Sequence, residues 1–173
     1  GLSTTAAWIT EPNFSTTQYG VSSAGAGDVN GDGFSDVIVG ARTYSNGHTD
    51  EGRAYVFHGS STGLQTTAAW TTESNQSTAW HGNWVNSAED VNGDGYSDVI
   101  VGAPQYDNGH TDEGKAYVYH GSSTGLSTTA AWTVETNQST ANLGLGVASA
   151  GDVNGDGYSD VVVGAYNYDN GNT

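Results

Sequence analysis

Three nine-residue stretches hold most of the side chains able to do chemistry. They are Asp28-Val29-Asn30-Gly31-Asp32-Gly33-Phe34-Ser35-Asp36, a near copy from Asp90 to Asp98, and a third from Asp152 to Asp160. Each places oxygen side chains at positions 1, 3, 5 and 9, with glycines between them that let the backbone turn tightly enough to bring those oxygens toward one point. A hard cation such as Ca²⁺ takes roughly six to eight oxygen ligands, which three carboxylates, one amide oxygen, a backbone carbonyl and water supply. In the first copy the expected side-chain ligands are Asp28, Asn30, Asp32 and Asp36, with Phe34 offering its carbonyl. Turns rich in Asp, Asn and Gly also join strands where no metal is present. Against that plainer reading, three Asp within nine residues repel one another unless a cation sits among them. A helix-loop-helix calcium site needs an acidic residue at position 12 and a helix after it. Position 12 here is Val39, Val101 or Val163, and the β-branched run Val37-Ile38-Val39 leads into a strand instead.

The elements that position these loops repeat every 62 residues: Gly1 to Trp8 recurs from Gly63 to Trp70 and from Gly125 to Trp132. A period of this length marks propeller blades or another repeat array. The chain divides into repeats 1–62, 63–124 and 125–173, the last one short. In the first repeat, strands are expected at Thr5–Thr10, Val21–Ala26, Asp36–Ala41 and Arg53–His58. The fold class is all-β, with blades of four antiparallel strands in an incomplete or open propeller. The run after each loop (Val37-Ile38-Val39, Val99-Ile100-Val101, Val161-Val162-Val163) is apolar on both faces, as suits a strand inside a stack of sheets. The small residues before the loop, Val21 to Gly27, suit a crowded innermost strand. The recurring aromatics Trp8, Trp70 and Trp132, Tyr55 and Phe57, and Tyr117 and Tyr119 read as blade-to-blade core. Two blades are complete, Val21–Thr72 and Asn83–Val134, each taking its fourth strand from the next repeat. The third repeat lacks the 13 residues equivalent to Asp50–Thr62. Its open edge calls for further blades from a parent chain or from other copies.

Composition narrows the function classes. The net charge is −16, and 9 of the 19 acidic residues sit in the three loops, so three bound Ca²⁺ would bring −16 to −10. With only Arg42, Arg53 and Lys115 as cations, binding to nucleic acid or an anionic membrane is disfavoured. No run is long and apolar enough to insert in a bilayer. Cysteine is absent, so the compartment must be read from calcium, which saturates such loops most easily outside the cell: secreted or at the cell surface. With no starting Met and no signal segment, the chain reads as a mature or excised portion of something longer.

Tyr19-Gly20 before the first loop, the Asp-Val-Asn-Gly-Asp-Gly core of all three, and Val101-Gly102-Ala103-Pro104 after the second together resemble the FG-GAP repeat of integrin α-subunit propellers and their microbial relatives. The resemblance spans essentially the whole chain. It implies about three Ca²⁺, one per repeat. The ligands it implies are Asp28, Asn30, Asp32, Phe34 (carbonyl) and Asp36; Asp90, Asn92, Asp94, Tyr96 (carbonyl) and Asp98; and Asp152, Asn154, Asp156, Tyr158 (carbonyl) and Asp160. Departures spare the ligands: the Gly-Ala-Pro element is Gly40-Ala41-Arg42 and Gly164-Ala165-Tyr166 elsewhere, and the aromatic-Gly element is His81-Gly82 and Leu143-Gly144. The implied function is an extracellular, calcium-stabilised binding or adhesion module with a protein or glycan ligand and no catalytic activity. Alternatives are a carbohydrate-binding propeller and a self-assembling structural subunit.

Beyond the loops, copy two puts Trp80, His81, Asn83, Trp84 and Glu89 where copy one has Gln18, Tyr19, Val21, Ser22 and Gly27. Trp80, His81 and Trp84 are candidate ligand contacts, because flat apolar faces beside amides suit a sugar or a protein. Packing against a neighbouring blade is the competing reading. Asn13, Asn75 and Asn137 each begin an Asn-x-Ser triplet and are candidate glycosylation sites. His58 and His120 read as structural strand residues. His48 and His110, beside Asp50/Glu51 and Asp112/Glu113, form a weaker candidate for a second metal.

Overall fold

A computed structural model describes residues 3–11 and 17–171. It contains ten strands and no helix among those residues. The first sheet runs β1 (Tyr19–Gly27), β2 (Asp36–Ala41), β3 (Arg53–Phe57), β4 (Trp70–Glu73), and the second β5 (Trp84–Glu89), β6 (Asp98–Ala103), β7 (Lys115–Tyr119), β8 (Trp132–Glu135). Both are antiparallel, with strands neighbouring in sequence order. The third sheet has two strands, β9 (Leu143–Gly151) and β10 (Asp160–Ala165). The fourth strand of each complete sheet comes from the following repeat, as the sequence predicts. The sheets stack in an open array, β1 against β5 and β5 against β9.

The apolar run after each loop becomes the second strand of its sheet; in β6 its two faces serve two interfaces, whereas in β10 one face is open, with Val162 exposed. Ile38, Val56 and Trp70 of the first sheet meet Val85, Val99, Val101 and Tyr119 of the second in one buried cluster. Ile100, Ala116 and Val118 then meet Val147 and the flank of Val161 and Val163. Where blades touch, backbone approaches backbone. A Cβ on Gly40 would collide with the Gly82 carbonyl, and one on Gly102 with the Gly144 carbonyl. The aromatic-Gly element therefore seats each blade on the Gly-Ala end of the previous one. Parallel bridges Gly52↔His81 and Gly114↔Leu143 fix that seat.

The strand expected at Thr5–Thr10 does not form. A fourth strand needs a third strand beside it, as Trp70 has in Val56, and no such strand flanks this segment among the described residues. Trp8 nonetheless docks as Trp70 does. It meets Phe57 edge to face at 5.1 Å and donates from Nε1 to the Gln65 carbonyl at 3.0 Å, while Trp70 meets Tyr119 at 5.0 Å and donates to the Ser127 carbonyl at 2.9 Å. The first strand begins at Tyr19 rather than Val21, and the third ends at Phe57 rather than His58.

Candidate metal centre

Each loop joins the first two strands of its sheet, and its carboxylates are held by backbone amides. Asp28 Oδ1 accepts from the Gly31 and Asp32 amides at 2.7 and 3.1 Å, and Oδ2 accepts from Gly33 at 2.8 Å. Asn30 Oδ1 accepts from the Asp32 amide at 3.0 Å, and Asp32 Oδ1 from Phe34 at 2.9 Å. Positive φ at Gly31 (73°) and Gly33 (88°) aims those amides inward. The same bonds recur for Asp90, Asn92 and Asp94 and for Asp152, Asn154 and Asp156.

Position 9 does a different job. Asp36 is buried, and its two oxygens accept from Val29 N inside the loop (2.9 Å) and Gly59 N beyond β3 (2.8 Å); Asp98 does the same with Val91 (2.9 Å) and Gly121 (2.8 Å). Burial pushes both carboxyls above the usual carboxylate range against the pull of those amides. Asp32 and Asp152 lie lower than usual, held chiefly by the Phe34 and Gly157 amides respectively.

The donor set fits a hard cation. It is all oxygen, and most of its oxygens keep a second lone pair after accepting from an amide. Asp32 stands at the exposed mouth, Asn30 is half-buried, and Asp36 lies at the buried base. Among the described residues, no three His, Asp or Glu side chains stand close enough together to hold a metal ion.

The loops are also tied to each other, which the sequence reading missed. Ser97 N donates to the Asp28 carbonyl and Ser159 N to the Asp90 carbonyl, both at 3.0 Å, and Ser122 N reaches the Val29 carbonyl at 3.1 Å. The ring of Tyr96 covers Gly31, and the ring of Tyr158 covers Gly93. The residue assigned a carbonyl role thus also clamps the preceding loop with its side chain. The recurrence of an aromatic at position 7 was the available signal.

The copy-two aromatics do not form one exposed patch. His81 is fully buried, its ring edge-on to Tyr117 at 4.9 Å, and neither ring nitrogen has a hydrogen-bond partner. Burial pushes its pKa down to about 3. Trp80 is half-buried under the Arg42 guanidinium, 4.8 Å from its ring centre. Trp84 is exposed and lines an apolar groove with Val147, Ala148 and Val162. Asn75 and Asn137 are exposed in the loops after β4 and β8, whereas Asn13 lies outside the described residues. His48 and His110 each sit beside one buried glutamate, Glu51 at 3.4 Å and Glu113 at 3.6 Å.

Four-stranded antiparallel sheets stacked through their first strands, with a carboxylate loop at the same corner of each, define a segment of a β-propeller. The chain belongs to the FG-GAP repeat family, whose model matches residues 20–57, 81–119 and 144–173. Relatives include integrin alpha-PS2 of Drosophila melanogaster, 34% identical over 157 residues (82% of this chain, 11% of that protein). Integrin alpha-6 of Gallus gallus is 32% identical over 139 residues (80% and 12%). Phosphatidylinositol-glycan-specific phospholipase D of Rattus norvegicus is 36% identical over 146 residues (79% and 17%). The chain therefore spans a small part of the length of each of these relatives. No helix among the described residues is long and apolar enough to cross a membrane.

Proposed function

We propose that this chain is an extracellular, calcium-stabilised propeller segment that serves as a binding or adhesion module, with one Ca²⁺ in each of its three loops. The observation that carries this reading is the threefold recurrence of one all-oxygen loop, with the same amide bonds at positions 1, 3 and 5, chained loop to loop through Ser97 and Ser159. Asp28, Asn30, Asp32 and Asp36, with the Phe34 carbonyl, would hold the first ion, and their equivalents the other two. Bound calcium would neutralise the loop carboxylates and so brace the blade contacts that the loops share. The integrin relatives support adhesion, and protein or glycan ligands are the partners this reading expects. It assigns no catalysis to the chain.

Melting in calcium against melting in chelator tests the reading. Binding to the folded state alone adds about 2.7 kcal/mol per site at a hundredfold excess over Kd. The expected result is a large calcium-dependent rise in Tm; identical melting in both buffers contradicts it.

A further inference from the structure

Of the side chains expected to hold calcium in the first loop, Asn30 is the one that can present the wrong atom. Its amide carries an oxygen, which accepts, and an NH₂ group, which only donates, and a hard cation takes oxygen alone. The neighbours of the amide decide which end faces the ion. On one side Asn30 Oδ1 accepts from the Asp32 amide at 3.0 Å. On the other, Nδ2 donates to Asp32 Oδ2 at 3.0 Å and stands 3.2 Å from His58 Nδ1. An amide NH₂ cannot accept, so Nδ1 is the accepting nitrogen of the His58 ring and Nε2 carries the proton.

The ring has little freedom to turn away. It is half-buried, and a Cβ on Gly125 would touch its Cε1 and Nε2 at 3.6 and 3.7 Å. The Gly125 turn, in the β7–β8 connection of the second sheet, is fixed in its own right: Gly125 N donates to the Ser122 carbonyl at 2.8 Å, and Ser122 N donates to the Val29 carbonyl of the first loop at 3.1 Å. Gln65 N holds the His58 carbonyl at 2.9 Å. His58 is thus wedged between the first loop and a turn of the next sheet, with Nδ1 aimed at Asn30. Its Nε2 is shielded from solvent and has no hydrogen-bond partner. An orphaned buried donor is a cost that an apolar filler such as Leu would not carry, and the bond made by Nδ1 is what the ring offers in return.

We propose that His58 is a positioning residue for the first calcium site: by accepting from Asn30 Nδ2, it keeps Asn30 Oδ1 turned to the ion. The role deepens the calcium reading and rests on it. Partners of this outer kind are worth about 10–100-fold in metal affinity.

The test follows calcium binding loop by loop in the 173-residue chain by NMR, through the backbone amide signals of Gly31 and Gly33, of Gly93 and Gly95, and of Gly155 and Gly157. His58→Leu should weaken the first loop by about tenfold or more and leave the other two within about twofold. His58→Gln, whose Oε1 can accept from Asn30 Nδ2, should recover most of the loss. In an Asn30→Asp background, where either side-chain oxygen can face the ion, His58→Leu should change the first loop by less than about twofold. In the parent, a scalar coupling across the bond should join an Asn30 Nδ2 proton to His58 Nδ1, a signature that needs no variant to fold. Absence of that coupling overturns the proposal. So does unchanged affinity of the first loop in His58→Leu, a loss shared by all three loops, or an equal loss in the Asn30→Asp background, which would make the ring a packing residue. A parent that loads no loop sinks the calcium reading and this role with it, whereas three loops loading equally well in parent and His58→Leu sink the role of His58 alone.

Discussion

His81 should make this protein acid-sensitive through a single buried ring. Burial holds its pKa at about 3 in the folded state, against an ordinary value near 6.5 in the unfolded chain. A base depressed in this way contributes stability that is fully present above pH ~6.5 and is lost as pH falls toward the folded value, because only the unfolded state takes up the proton. One proton is worth about 1.4 kcal/mol per pH unit, so acidification from 6.5 to 5.0 should remove about 2 kcal/mol through this residue alone. His81→Leu puts at position 81 the residue type that Leu143 supplies in the third blade, where it is likewise buried. The variant also removes two ring nitrogens that have no partner. Urea unfolding of both proteins at pH 7.5 and 5.0, with calcium saturating so that the loop carboxylates stay ionised, isolates the effect. The parent should lose about 2 kcal/mol more than the variant between the two pH values. Equal losses would refute the reasoning, since they would mean that His81 titrates in the folded protein as it does in the unfolded one.

Two further predictions follow from the loops. Gly93 and Gly95 both have positive φ, 77° and 90°, but only a Cβ on Gly93 meets a neighbour, the Tyr158 ring at 2.5 Å. Gly95→Ala should therefore cost about 1–2 kcal/mol of backbone strain, and Gly93→Ala about 1 kcal/mol more by thermal or urea unfolding; equal costs would dismiss the ring clamp. Asp98→Ala leaves the Val91 and Gly121 amides without their acceptor and should cost about 2–5 kcal/mol, whereas Asp160→Ala frees one exposed amide and should cost less than about 1 kcal/mol. Comparable urea midpoints for the two variants would show that the strut from loop to third strand is not what position 9 contributes.

Much of this architecture is legible in the sequence because its signals are local. The loop spacing, the apolar run after it and the turn glycines all lie within fifteen residues of one another, and β2, β6 and β10 fall on the repeated Asp-to-Ala segments. Thr5–Thr10 was not legible because strand character there depends on a neighbour far away in sequence. The role of His81 also lay in a distant contact. Its equivalents Tyr19 and Leu143 present apolar bodies, and that pattern marks position 81 as a seat for the next blade, where a sugar-binding ring would need exposure. Tyr96 and Tyr158 could be assigned carbonyl donors from loop position alone, but the glycine beneath each ring lies one repeat earlier.

The central claim is that the three loops bind calcium, and counting the ions tests it most directly. Isothermal titration of chelator-stripped protein with Ca²⁺, repeated on a variant carrying Asp28→Ala, Asp90→Ala and Asp152→Ala, should give about three ions per chain for the parent and none for the variant. The variant's fold is to be checked by the retained amide protection of β2 and β6. A parent protein that takes up no calcium, or a folded variant that takes up as much as the parent, would contradict the account.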